Sequence, residues 1–360
     1  LARAARLEET PMETPPSEPE SPLPTPAALI AHLPVTARSA ATVSITRRVL
    51  RDALRGADPR FVAIVGPCSL HDARSAVEYG ERLACLRAEL GGSLVLIMRT
   101  YFEKPRTSVG WKGMINDPRL DGSCDLALGL RRAREILCAL NELGVPCASE
   151  LLDPIVRHYL GDLLSWACIG ARTAESQIHR EMASGLPLPV AIKNPTSGDL
   201  TPAIDALRAA RSPHRHLGIS AAGGFARIET PGNPDAHVVL RGGATGPNFA
   251  ASDVAHVAHA VAAFGLARPV LVDCSHGNSG KRPERQPDVL RAVVEQFVAP
   301  GTPLLGAMLE SHLAHGRQEI AGDAPLSYGV SLTDACLGWD ETCAVLRETA
   351  ARLRRARASR

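Results

Sequence analysis

From residue 61 onward the chain alternates short apolar runs with segments of helical period. The runs occupy 62–65, 94–98, 145–149, 168–171, 190–192, 238–240, 270–272 and 304–309. Strands buried on both faces read as continuous apolar stretches and not as apolar–polar alternation. The clearest helical segment is 125–143. There Leu126, Leu130, Ala133, Leu137 and Leu140 recur at spacings of four and three, with Asp125 suited to the N-cap and Gly144 to the position past the end. Residues 75–90 form another, with Ser75 and Glu78 at capping-box spacing. Eight runs joined by helical crossovers predict an α/β fold, a (β/α)8 TIM barrel. Residues 216–222 and 226–229, flanking Gly223 and Gly224, predict an inserted β-hairpin outside the barrel count. The competing doubly wound sheet lacks its Gly-rich phosphate loop.

The ends of the chain read differently. Residues 1–26 hold seven prolines and five glutamates and predict a disordered tail. Residues 27–60 predict a helical N-terminal extension, in the pieces 27–32 and 40–54. The catalytic barrel then takes 61–350, and 351–360 reads as a basic C-terminal tail with five arginines. Composition narrows the function. Forty Lys+Arg against 38 Asp+Glu leave a net charge of +2, which speaks against a nucleic-acid partner. No apolar run of about 18 residues predicts a membrane span, and no leader pattern predicts secretion. Nine scattered cysteines without a C-x-x-C pair speak against a disulfide framework and for the reducing cytoplasm.

The residues that follow each run carry the chemistry. In a parallel barrel they meet on one face, where barrel active sites lie. Six are cations: Arg99, Lys104, Arg106, Arg172, Lys193 and Arg241. For any one of them a local ion pair is an equally good reading. For all six it is a poor one, because few acids fall at the same strand ends. A ligand set with several negative charges, more than one phosphate, accounts for them better. A second set is Cys68, His276, Glu310 and Asp334. A thiolate, an imidazole and two carboxylates suit one divalent cation with an open position. Alone, Cys68 reads as a small buried residue and His276 as a satisfied polar group. They gain weight by landing after runs one, seven and eight and in the turn at 331–334.

The motifs are GPCSLHD at 66–72, MRTYFEKPRTSVGWKGMINDP at 98–118, IGARTAESQIHREMASGLPLPVAIKN at 169–194, VLRGG at 239–243, VDCSHGNSGK at 272–281, MLESHL at 308–313 and SLTDACLGW at 331–339. In them the chain resembles the type I 3-deoxy-D-arabino-heptulosonate-7-phosphate (DAHP) synthases, in the branch of feedback-regulated bacterial and fungal enzymes. The resemblance covers roughly residues 28–350 and implies a (β/α)8 barrel with an N-terminal extension. It implies condensation of phosphoenolpyruvate with erythrose 4-phosphate to DAHP and phosphate, the first step of the shikimate pathway. The implied metal ligands are Cys68, His276, Glu310 and Asp334, holding one divalent ion (manganese, iron, cobalt or zinc). Phosphoenolpyruvate would be held by Arg99, Lys104, Glu150, Arg172, Lys193 and Arg241. Erythrose 4-phosphate would sit on Lys104, Pro105, Arg106 and Thr107, near Asp334. Lys104, Cys68 and His276 would be the catalytic residues, and a homo-oligomer, dimer or tetramer, is implied.

The chain departs from the family pattern in four places. Pro195-Thr196-Ser197-Gly198 replaces Gly-Thr-Asp-Gly. Ser220-Ala221-Ala222-Gly223 replaces Thr-Lys-Trp-Gly, which is expected to remove a cation and an aromatic near the barrel mouth. A related synthase using a different phosphorylated aldose, such as an amino analogue, is the alternative this raises. A non-catalytic regulatory paralogue is the other, and it should have lost at least one metal ligand. Pro187 and His216 replace a serine and an aromatic of the family's effector pocket, which predicts weak or altered inhibition by aromatic amino acids.

Overall fold

The structure is a computed structural model and describes residues 22–106, 108–320 and 325–359. Residues 1–21, most of the expected disordered tail, lie outside the described residues, as do Thr107 and Arg360. Eight strands close a parallel barrel in the order β1, β10, β9, β8, β5, β4, β3, β2. They are β1 (Phe61–Gly66), β2 (Leu94–Arg99), β3 (Cys147–Glu150), β4 (Trp166–Ile169), β5 (Val190–Lys193), β8 (His237–Leu240), β9 (Val270–Asp273) and β10 (Leu304–Glu310). The inserted hairpin is β6 (His214–Ile219) and β7 (Phe225–Thr230), paired antiparallel.

The continuous apolar runs follow from two cores. One side of each strand faces the barrel axis, where Val62, Ile64, Ile97, Trp166, Val239 and Met308 form an interior cluster. The alternate side, with Phe61, Ala63, Val65, Leu96 and Val238, packs under the surrounding helices. Both sides are therefore dry, and neither needs a polar residue.

The N-terminal extension forms two helices, Pro26–His32 and Ala37–Leu54, capped by the Thr25 and Thr36 hydroxyls. Leu50, Ala53 and Leu54 of the longer helix join the interior cluster, so this helix stoppers the N-terminal end of the barrel. Arg47 ties it there, donating to the carbonyls of Gly161 and Leu164. The residues at 351–358 are the last turns of helix Trp339–Ala358, with Leu353 buried and Arg357 donating to the carbonyls of Gly92 and Pro59.

Three local readings differ from the structure. The helix expected at 75–90 begins at Ala73, and Asp72 caps it by accepting from the Ser75 N–H at 2.7 Å. Ser75 thus stands inside the first turn, where its N–H is one of the orphan donors. The run at 168–171 is shifted: the strand is Trp166–Ile169, and the apolar Gly170-Ala171 already belongs to the loop above it. The third is the hairpin turn Ser220–Gly224, which does not lie near the mouth. Helix Thr201–Arg211 returns the chain from the C-terminal end of β5 toward the strands' N-terminal ends before the hairpin begins. The turn then packs on the extension, with the Ala27 N–H donating to the Ala221 carbonyl at 3.1 Å. Its change of sequence therefore gives no reason to expect a different aldehyde.

Candidate active site

The C-terminal ends of the eight strands open into a cavity of about 480 Å³. Lys104, Pro105, Arg106, Glu150, Arg172, Lys193, Arg241, His276 and Asp334 line it. Of the other residues singled out in the sequence, Cys68, Arg99 and Glu310 lie buried beneath, at 0%, 0% and 1% exposure. One face of the barrel thus collects every described residue of the expected site.

Two of the buried cations are held by specific acids. Arg99 pairs with Glu310 at 3.1 Å, donates to the Pro67 carbonyl at 3.3 Å and stacks over the Tyr101 ring at 4.0 Å. Lys193 pairs with Asp273 at 2.9 Å. A buried charge without such a partner would cost several kcal/mol, roughly, in lost solvation. Lys104 reaches the Cys68 sulfur at 3.1 Å and the Cys68 carbonyl at 3.2 Å. Burial alone would lower its pKa. Cys68, Glu310, Asp334 and Glu150 outweigh burial and hold the ammonium protonated.

Cys68, Glu310 and Asp334 bring one sulfur and two carboxylate oxygens within 4.8 Å of one another. His276 is outside this trio, but its Nε2 stands 3.7 Å from a Glu310 oxygen. On the other side of the ring, Nδ1 lies 3.1 Å from Asp273. A carboxylate at Nδ1 fixes the ring and leaves Nε2 as the free donor atom, an arrangement typical of metal-ligating histidines. His276 adopts φ 53°, a left-handed conformation uncommon for a side-chain-bearing residue. Burial and then the neighbouring Glu310 push the Cys68 thiol up to about 12. A divalent cation would reverse that balance and hold the thiolate. The donor set, soft sulfur with an imidazole and hard oxygens, fits such an ion.

Glu150 shows what a missing side chain can do. Its Oε1 is buried, with no hydrogen-bond partner among the described residues. It lies where a Cβ on Gly170 would stand, at 1.9 Å. The glycine after β4 thus makes the space that lets Glu150 of β3 lean into the mouth.

A family model for the DAHP synthetase I family matches residues 33–347. The chain belongs to this family. Over 332 residues it is 50% identical to the Tyr-sensitive phospho-2-dehydro-3-deoxyheptonate aldolase of Escherichia coli strain K12, covering 91% of this chain and 92% of that one. It is 47% identical over 325 residues to the Phe-sensitive enzyme of the same strain, covering 90% and 93%. The solved phospho-2-dehydro-3-deoxyheptonate aldolase of Francisella tularensis SCHU S4 superposes with a TM-score of 0.90 at 41% identity, covering 94% and 98%.

Against this family background, sequence reasoning missed part of the mouth. Asp273, directly after the run 270–272, was not singled out, yet it holds both Lys193 and His276. Lys281, Arg317 and Glu319 also line the cavity. Lys281 closes a family motif, but Arg317 and Glu319 sit in a loop with no periodicity and no adjoining strand end to mark them.

Proposed function

We infer that the chain is a DAHP synthase. It condenses phosphoenolpyruvate with erythrose 4-phosphate to DAHP and inorganic phosphate, the first step of aromatic amino acid biosynthesis. The observation that carries this reading is the convergence, in one family member's barrel mouth, of the cations with a buried thiol–imidazole–carboxylate set.

Arg99, Arg172, Lys193 and Arg241, with Lys104 and Glu150, bind phosphoenolpyruvate. Arginine forks match its carboxylate and phosphate, and the buried lysines add point charge. Pro105, Arg106 and Thr107, with Lys104, receive erythrose 4-phosphate near Asp334. Cys68, His276, Glu310 and Asp334 hold one divalent metal; the mixed donor set suits manganese, iron, cobalt or zinc. A metal bound there supplies Lewis-acid polarisation of the aldehyde oxygen. The cations hold two polyanions side by side, which is chiefly a positioning and electrostatic task. C3 of phosphoenolpyruvate then attacks the aldehyde carbon and a C–C bond forms. Lys104, protonated, gives a proton to the new alkoxide and regains one from the water that adds at C2. In the resulting hemiketal phosphate the C2 hydroxyl oxygen forms the ketone C=O as the bond from C2 to the phosphate oxygen breaks, and its proton leaves with the phosphate. His276, held by Asp273, serves as a ligand and not as a base.

The nine cysteines, all free thiols, support a reducing cytoplasmic setting. Among the described residues no single helix is long and apolar enough to cross a membrane. Leu217 and Phe225, 79% and 89% exposed on the hairpin, support a homo-oligomer, a dimer or tetramer. Incubation with both substrates and product analysis by mass spectrometry tests the reaction. DAHP and phosphate in equal amounts support it; a different sugar acid, or none, rejects it.

A further inference from the structure

The cations of the mouth stand at two depths. Arg99, Lys104, Lys193 and Arg241 are buried, whereas Arg106, Arg172, Lys281 and Arg317 are exposed at the rim. The rim cations come from four loops, those following β2, β4, β9 and β10. Lys281 is fixed by its backbone. It adopts φ 62°, where side-chain-bearing residues are disfavoured, and its N–H donates to the His276 carbonyl at 2.7 Å. Its side chain lines the same cavity as Asp334. Arg317 is anchored as well. Its backbone bridges to Ser331, and the next N–H, that of Gln318, donates to the Ser331 carbonyl at 2.7 Å. Its side chain therefore leaves a fixed point and lines the cavity together with its ion-pair partner Glu319, 3.1 Å away.

This rim has a definite electrostatic consequence. Glu319 is a carboxylate in the wall of a mouth that must admit a second dianion. Left alone it would repel that substrate, and Arg317 neutralises it. We propose that Arg317 and Lys281 form an outer anion subsite beside Arg106 for the terminal phosphomonoester of the aldehyde substrate, and that Glu319 tempers it by competing for Arg317. The proposal rests on the functional reading above and adds to it what sets selectivity for a phosphorylated over an unphosphorylated aldose. Because the rim is exposed, each charge is worth only a few fold in affinity.

The test uses erythritol 4-phosphate, which keeps the phosphate and lacks the reactive aldehyde. It is titrated calorimetrically into phosphoenolpyruvate-loaded wild type, Arg317→Gln and Glu319→Gln. Arg317→Gln should bind it about three- to fivefold more weakly and Glu319→Gln about two- to threefold more tightly. Affinity for phosphoenolpyruvate should stay unchanged in both. In turnover, Arg317→Gln should raise KM for erythrose 4-phosphate by the same factor and leave turnover of unphosphorylated erythrose alone. No binding by wild type, equal affinity in all three proteins, or parallel loss of phosphoenolpyruvate affinity overturns the rim subsite. Wild type that binds both ligands but forms no DAHP would instead overturn the functional reading.

Discussion

Two buried carboxyl groups show how single residues set the site. Glu150 leans into space left by Gly170. Gly170→Ala should push it aside and lower kcat/KM by about tenfold or more, since misplacement by about an ångström is costly in catalysis. The cost in stability should be modest, about 1–3 kcal/mol of overpacking. Steady-state kinetics with thermal unfolding checks this, and unchanged kinetics would remove Glu150 from the site. Glu103, 4% exposed, stands beside Lys104 and takes the Asp153 N–H at 3.4 Å. Burial raises its carboxyl to about 8, and the charges of Asp153 and Glu150 add to that while the Asp153 N–H opposes it. Unfolded, a glutamate ionises near about 4.3. Between these values the native state keeps a proton that the unfolded state has released. Stability therefore falls as pH rises through this window and levels off above it. Glu103→Gln should match wild type near pH 4 and be more stable by on the order of a few kcal/mol at pH 8. Urea unfolding at both pH values measures the difference; an equal gain at both would point to packing instead.

At the scale of elements, the loop before β5 and the hairpin carry Pro187 and His216, the two positions that the family resemblance ties to an effector pocket. Pro187 has no N–H or hydroxyl to offer, and its carbonyl already accepts from Arg51 at 3.1 Å. His216 on β6 bonds its Nδ1 to the Leu217 carbonyl at 2.9 Å, while its Nε2 is buried with no partner among the described residues. An aromatic amino acid seated there would meet a polar ring and lose two polar contacts. Inhibition by phenylalanine, tyrosine or tryptophan is therefore expected to be weak at millimolar concentration. A dose–response curve showing strong inhibition by any one of them would contradict this. The same hairpin exposes Leu217, and Phe225 pairs with Ile219 on the adjoining strand. Large apolar groups on one small face favour contact with another copy. Leu217→Ser with Phe225→Ser should shift the protein to a smaller species in light scattering, and an unchanged mass would exclude this face as the contact.

For the whole molecule, the barrel was legible because its strands are dry on both sides. Val62 and Ile64 serve one core and Phe61, Ala63 and Val65 the other, so no polar residue interrupts the run. Charged residues directly after such runs, such as Arg99 and Lys193, were legible for the same reason. The polarity changes abruptly where a strand leaves the core. Long-range placement was not legible. Nothing local in Ser220–Gly224 says that it meets Ala27, and nothing in Arg317 says that its loop folds back over the mouth. Asp273 looked like the end of a strand, and only the closed sheet puts it between Lys193 and His276. On the function proposed above, the molecule as a whole joins two phosphorylated substrates over one metal. The most direct measurement is the loss of phosphoenolpyruvate in the presence of erythrose 4-phosphate, with manganese and then with a chelator. The account predicts consumption that stops on chelation and returns when manganese is restored. Folded protein that consumes no phosphoenolpyruvate with manganese, iron, cobalt or zinc, or that consumes it equally well in chelator, would contradict it.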